Sequence, residues 1–160
     1  MSDTPDDYLD MVDALNRHGV EFVIVGAYAV TFHGSPRLTE DIDFLIRPTT
    51  LNTRRLRLAL KEFGSPVAIG GGRLKADAII QIGVKPVRVD LIATVTGVPT
   101  QKIWESRIAG KFGGRDVSFI SFDLLIKNKI ATGRPKDLLD VRNLKRVMNP
   151  PPSGKKKGPS

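Results

Sequence analysis

Asp41, Asp43 and Asp90 are the residues whose type and spacing could do chemistry. The first two stand in "GSPRLTEDIDFLI" (34–46), at the mouth of an apolar run, and the third is embedded in "PVRVDLI" (86–92). Acids are poor strand formers and are rarely buried without a partner. If 37–43 is extended, side chains alternate between faces. Arg37, Thr39, Asp41 and Asp43 then share one face, and Leu38, Glu40, Ile42 and Phe44 share the other. Two carboxylates at i, i+2 on a strand lie only ~7 Å apart and repel unless something cationic sits between them. A hard divalent cation, Mg²⁺ above all, takes such oxygens together with waters and substrate phosphates. Asp90 fits the same logic. It shares a face with Arg88 while Val89 and Leu91 share the other, and a lone Asp in such a strand is costly unless paired or ligating. If this strand pairs beside 39–46, the three carboxylates can hold two metals for in-line phosphoryl chemistry. The plainer use of strand-end acids, meeting solvent or capping a turn, accounts less well for a third acid and an adjacent glycine turn.

That turn is Gly26-Ala27, in "VIVGAYAV", where an apolar strand runs into a helix of small residues. Glycine lets backbone N–H groups approach a ligand closely, and a helix start favours phosphate. The junction is not a phosphate loop of the G-K-[ST] kind, nor a G-x-G-x-x-G dinucleotide fingerprint.

The elements that must position these residues follow from periodicity and stop signals. Residues 6–18 place Tyr8, Leu9, Met11, Val12 and Leu15 at helical spacing, with acids first and Arg17-His18-Gly19 last. Strands are predicted at 20–25 and 39–46, and helices at 26–34 and 47–64. The stretch 65–98 is β-like, broken by "GGG" and by a "GVKP" turn. A short helix is expected at 99–108, a strand at 115–120 after a Gly-Gly turn, a helix at 121–133 capped by Ser121, and a last helix at 134–148 with Pro135 in its first turn. The order predicts an α/β (α+β) fold: a mixed central sheet flanked by helices. Residues 1–148 are expected to form one domain, and 149–160, rich in Pro, Gly, Ser and Lys, a disordered basic tail.

Composition narrows the function classes. The chain of 160 residues carries a formal net charge of +8, and +5 without the three lysines of its tail. A basic body suggests an anionic partner, nucleotide or nucleic acid. One Trp and two Tyr argue against a base-stacking platform. The absence of cysteine excludes a disulfide scaffold and suits a reducing, cytoplasmic compartment. The acidic start is not a signal peptide, and no apolar run approaches the ~18 residues of a membrane span, so no membrane partner is expected.

Together these pieces resemble the nucleotidyltransferase superfamily that includes DNA polymerase beta. Its pattern is an apolar residue, Gly, Gly or Ser, then Asp-x-Asp, then a third acid on a later strand; here Val25-Gly26-Ala27, Asp41-Ile42-Asp43 and Asp90 stand in those places. "GAYAVTFHGSPRLTEDIDFLI" is more closely similar to the small bacterial branch that includes the toxins of abortive-infection and toxin–antitoxin systems, with its R-x-T-x-D-[IL]-D. "LLIKNKIATGRPKDLLDVRNL" is similar to that branch's ending, a lysine-bearing helix, a basic turn and a D-x-x-D helix. The resemblance spans about 20–147. It implies that Asp41 and Asp43 bind Mg²⁺ on a nucleoside triphosphate and that Asp90 holds a second metal and helps activate the acceptor hydroxyl. It also implies that Gly26 and the Ala27 amide contact the triphosphate, with Arg37 and Thr39 beside the phosphates. Lys129, Asp137 and Asp140 would line the nucleotide side, with Lys127 a neighbouring candidate that spacing does not separate from Lys129. Ala27 departs from the family's Gly or Ser: it keeps the backbone amide and loses a hydroxyl donor.

The expected function is transfer of a nucleotidyl group to a hydroxyl on tRNA or protein, in a chain that pairs with a cognate antitoxin. The alternative is a catalytically silent binding module of the same fold. A dehalogenase-like phosphatase also uses Asp-x-Asp, but there the apolar strand precedes the pair, whereas "FLI" follows it here. The remaining residues have plainer uses open to them. Asp137 and Asp140 could pair with Lys136 or Arg142, and Arg54, Arg55 and Arg57 could be a solvated helix face.

Overall fold

A computed structural model describes residues 4–65 and 69–150. In chain order the elements are α1 (Asp6–Arg17), β1 (Phe22–Val25), α2 (Gly26–Phe32), β2 (Asp41–Ile46), α3 (Thr50–Phe63), β3 (Ile79–Ile82), β4 (Arg88–Ile92), α4 (Thr100–Glu105), β5 (Ile108–Phe112), β6 (Arg115–Phe119), α5 (Phe122–Thr132) and α6 (Pro135–Met148). The strands form one mixed sheet in the order β3-β4-β2-β1-β6-β5. β2 runs parallel to β4 and β1 parallel to β6; the β1–β2, β3–β4 and β5–β6 pairs are antiparallel.

The core explains why the acids end up together. On β2, Ile42, Phe44 and Ile46 are fully buried, and on β4 Val89 and Leu91 are buried. They join one cluster with Tyr8, Met11, Val12 and Leu15 of α1 and with Leu56, Ala59 and Leu60 of α3. Period-two alternation then puts Asp41, Asp43, Arg88 and Asp90 on the opposite face of both strands. β1 is buried at every position, as a central strand covered on both faces should be.

Local chemistry sets the element ends. Thr49 caps α3 by accepting from the Asn52 N–H at 3.1 Å, and Ser121 caps α5 through Leu124. Asn52 is buried; its amide donates to the carbonyls of Glu21 (2.9 Å) and Arg47 (2.8 Å), tying the start of β1 to the end of β2. Pro135 opens α6.

Several boundaries differ from the sequence expectation. β2 starts at Asp41, so 37–40 is not strand and the four-residue face from Arg37 to Asp43 holds only for its last two members. α2 ends at Phe32, and in 69–78 the chain forms no regular element. β5 was not expected. It is an edge strand, mostly exposed, joined to β6 through Gly113-Gly114, both at positive φ, as a two-residue hairpin turn requires. Arg55 and Arg57 do not simply face solvent: Arg55 reaches the Gly19 carbonyl and Arg57 those of Ile69 and Gly70. The expected basic tail lies outside the described residues from 151 onward. Among the described residues no helix is long and apolar enough to cross a membrane.

Candidate active site

The parallel register of β2 and β4 sets Asp43 opposite Asp90 and Asp41 opposite Arg88. Arg88 sits between the carboxylates. Its Nε donates to Asp90 Oδ1 at 2.8 Å, and its Nη2 donates to Asp90 Oδ2 and to Asp41 Oδ2, each at 2.9 Å. Thr39 Oγ1 donates to Asp41 Oδ1 at 3.1 Å. The hydrogen bond to Asp90 is the main cause that raises the Arg88 guanidinium above its ordinary value.

Asp43 differs from its neighbours. Among the described residues its carboxylate makes no hydrogen bond or ion pair. Burial, followed by the negative charges of Asp41 and Asp90, pushes its carboxyl up to about 7, against partial relief from Lys129 and Arg88. Gly26 makes room for it. Its φ of +71° is a left-handed conformation, and a Cβ there would lie 2.2 Å from Asp43 Oδ2. The β1–β2 register, with Val25 opposite Asp43, produces this approach.

A second cluster faces the first across the cavity. Lys129 of α5 is 6% exposed, and its Nζ lies 3.3 Å from Asp137 Oδ1 and 3.0 Å from Asp140 Oδ2. The Lys129–Asp140 contact is ionic rather than a well-aligned hydrogen bond. Arg37 Nε is 2.9 Å from Asp140 Oδ1, and Arg134 Nε donates to Asp137 Oδ2 at 2.6 Å, where Thr132 Oγ1 also donates at 2.8 Å. Burial alone would raise Asp137, but the hydrogen bonds from Arg134 and Thr132 and the charge of Lys129 hold its carboxyl down at about 2. Three cations thus surround two buried acids.

Both clusters line one open cavity of about 630 Å³. Gly26, Ala27, Arg37, Thr39, Asp41, Asp43, Asp90, Lys129 and Asp137 all border it, so the residues singled out from the sequence come together in space. Asp137 has no exposed surface, so its carboxylate meets its cationic partners rather than the opening. Lys127 is exposed and does not line the cavity, which separates it from Lys129. The partners of Asp137 and Asp140 are Lys129, Arg134 and Arg37, not Lys136 or Arg142. The sequence puts Arg88 on the face of Asp90 without assigning it a part in the site, and nothing in it singles out Arg134. The signal for Arg88 was its i−2 position to a strand-embedded acid.

The donor set suits a hard cation: one carboxylate without a partner and two others held by a guanidinium. Among the described residues no three acidic or histidine side chains already converge as metal ligands, and Arg88 bridges Asp41 and Asp90.

Comparisons with known proteins bear on the fold and the family. No curated relative matches the chain. Among solved structures, the lincosamide antibiotic adenylyltransferase LnuA, bound to lincomycin, is 15% identical with a TM-score of 0.60, over 90% of this chain and 98% of that one. The antibiotic-resistance factor ANT(2'')-Ia is 14% identical with a TM-score of 0.61, over 90% of this chain and 83% of its own. Another structure of that protein, 15% identical with a TM-score of 0.57 over 91% of both chains, contains adenylyl-2''-tobramycin. At such identities the likeness shows the fold. The model of the nucleotidyl transferase AbiEii toxin family, of type IV toxin–antitoxin systems, matches residues 9–154. That match covers nearly the whole chain: it belongs to the AbiEii nucleotidyl transferase toxin family, and is a transferase of that kind.

Proposed function

We propose that this chain acts in the cytoplasm as a Mg²⁺-dependent nucleotidyltransferase, moving a nucleotidyl group from a nucleoside triphosphate to a hydroxyl on tRNA or protein, and that a cognate antitoxin restrains it. The observation that carries this reading is the cavity's two-sided charge. One wall presents Asp41, Asp43 and Asp90; the other presents Arg37, Lys129 and Arg134. A metal–triphosphate complex is itself two-sided, cation against polyanion, and fits between them.

In this reading Asp41, Asp43 and Asp90 hold the metal. When bound, it would stabilise charge on the α-phosphate and on the departing pyrophosphate. Lys129 and Arg37 neutralise the triphosphate from the opposite wall. Asp137 and Asp140 touch no substrate; they aim Lys129, Arg37 and Arg134. The Ala27 amide, next to Gly26, is free to approach a phosphate oxygen. Asp90, in register with Asp43, accepts the proton of the incoming hydroxyl. The basic surface and the toxin family favour a macromolecular acceptor; the small acceptors named with the two structural neighbours keep a drug-like hydroxyl as the competing arm.

The test uses purified protein, Mg²⁺ and each α-labelled nucleoside triphosphate in turn, with total tRNA, bulk protein or an aminoglycoside as acceptor. Label on tRNA or protein in wild type, absent in Asp43→Ala of unchanged fold, is expected. Label in the Asp43→Ala variant would overturn the assignment. A wild type that labels nothing while binding nucleotide would favour the silent module.

A further inference from the structure

The acid wall carries a cation of its own. Arg88 contacts three carboxylate oxygens, two on Asp90 and one on Asp41, and its side chain is 21% exposed. These are the oxygens that the proposed metal would take. The guanidinium and a metal ion compete for them, since two cations packed against the same oxygens repel one another. Asp43, which Arg88 does not contact, is the only one of the three acids without a partner among the described residues.

We propose that Arg88 is the resident counter-ion of the acid cluster, a positioning residue that keeps free divalent metal out until a nucleoside triphosphate arrives with it. This rests on the nucleotidyltransferase reading above. Free metal must displace Arg88 and leaves the guanidinium with no anionic partner. A metal–triphosphate complex brings the replacement, because phosphate oxygens form bidentate pairs with arginine. Metal and nucleotide therefore assist one another's binding through Arg88, and the assistance is reciprocal. Without ligand, the same guanidinium keeps Asp41 and Asp90 from repelling one another across the paired strands. Arginine suits the role better than lysine, since its planar fork donates to both oxygens of Asp90 and to Asp41 in one fixed geometry, where an ammonium is a point charge.

The experiment measures Mn²⁺ binding by the loss of free-ion paramagnetic signal, in wild type, Arg88→Gln and Arg88→Lys, with and without a non-hydrolysable triphosphate, alongside metal-free melting. Expected for wild type is weak binding of Mn²⁺ alone and tight binding with the analogue. Expected for Arg88→Gln is a lower metal-free Tm and Mn²⁺ binding without nucleotide tighter by on the order of tenfold. Its dependence on the analogue should shrink by a similar factor. Arg88→Lys, which keeps charge but not the fork, should fall between them, and it carries the test alone if Arg88→Gln does not fold. Variants that bind Mn²⁺ no tighter than wild type overturn the proposal, while a wild type that takes Mn²⁺ with the analogue leaves the metal reading standing. A wild type that binds no Mn²⁺ even with the analogue overturns both.

Discussion

Asp43 and Asp137 are the same residue type on opposite walls of one cavity, and they are driven in opposite directions. Burial, and then the charges of Asp41 and Asp90, push Asp43 up to about 7; Asp137, buried too, sits among Arg134, Thr132 and Lys129 and is held at about 2. On the sheet wall one guanidinium, Arg88, serves Asp41 and Asp90 and leaves Asp43 without a partner among the described residues. On the helix wall two acids share three cations. The helix wall is a finished ion-pair network; the sheet wall is left short of positive charge. A fold that only needed stability would balance both. In the proposed function the sheet wall receives the cation and the helix wall's surplus meets the anion, and the imbalance supports that reading.

The largest effect expected is on chemistry. Asp43→Ala should cut nucleotidyl transfer by on the order of 10²-fold or more while folding persists, and labelled-triphosphate turnover reads it. Asp43→Asn should also raise the metal-free Tm at neutral pH by relieving repulsion; a fall in Tm would mean that the sheet wall is as balanced as the helix wall. Gly26→Ala should come next. Its Cβ would meet Asp43 Oδ2 at 2.2 Å in a left-handed conformation, and the expected cost is roughly 1–3 kcal/mol with loss of transfer. Asp137→Asn should destabilise by roughly 2–3 kcal/mol in denaturant melts, since it leaves Lys129 and Arg134 facing an amide.

The two acids should also give opposite pH slopes. Asp137 has a folded pKa below its unfolded value of 3.8, so its stabilisation is complete above that value and is lost as pH falls toward about 2. Asp43 has a folded pKa raised from 3.8 to about 7, so without metal stability declines as pH climbs between those values. Melting curves of Asp43→Asn should lack the second slope, and those of Asp137→Asn the first. The smallest effect is reserved for Arg17 and Glu62, an exposed pair on the other side of the sheet. Its loss should leave both the melting curve and transfer nearly unchanged, because solvent screens the pair.

The sheet wall was far more legible in the sequence than the helix wall, for a physical reason. A strand has period two, so an acid embedded among Val, Leu and Ile announces both its face and its cost; Asp41, Asp43 and Asp90 could be read without knowing their partners. The helix wall draws Arg37 from a loop, Lys129 from α5 and Asp140 from α6, and nothing local says that they meet. Lys127 and Lys129 are alike in spacing arguments, and only burial against α6 tells them apart. Arg88 was visible as a neighbour of Asp90, but its reach to Asp41 depends on the β2–β4 register. β5 escaped because "IAGKF" has no alternation to show: it is an edge strand whose Gly110 lies under Phe32 and Phe119.

The most direct measurement is a calorimetric titration of triphosphate into wild type, Asp43→Asn and Lys129→Met, each with and without Mg²⁺. The account predicts that wild type binds tightly only with Mg²⁺, that Asp43→Asn loses the metal dependence, and that Lys129→Met binds weakly even with the metal present. Tight binding that ignores Mg²⁺ and survives both substitutions would contradict it.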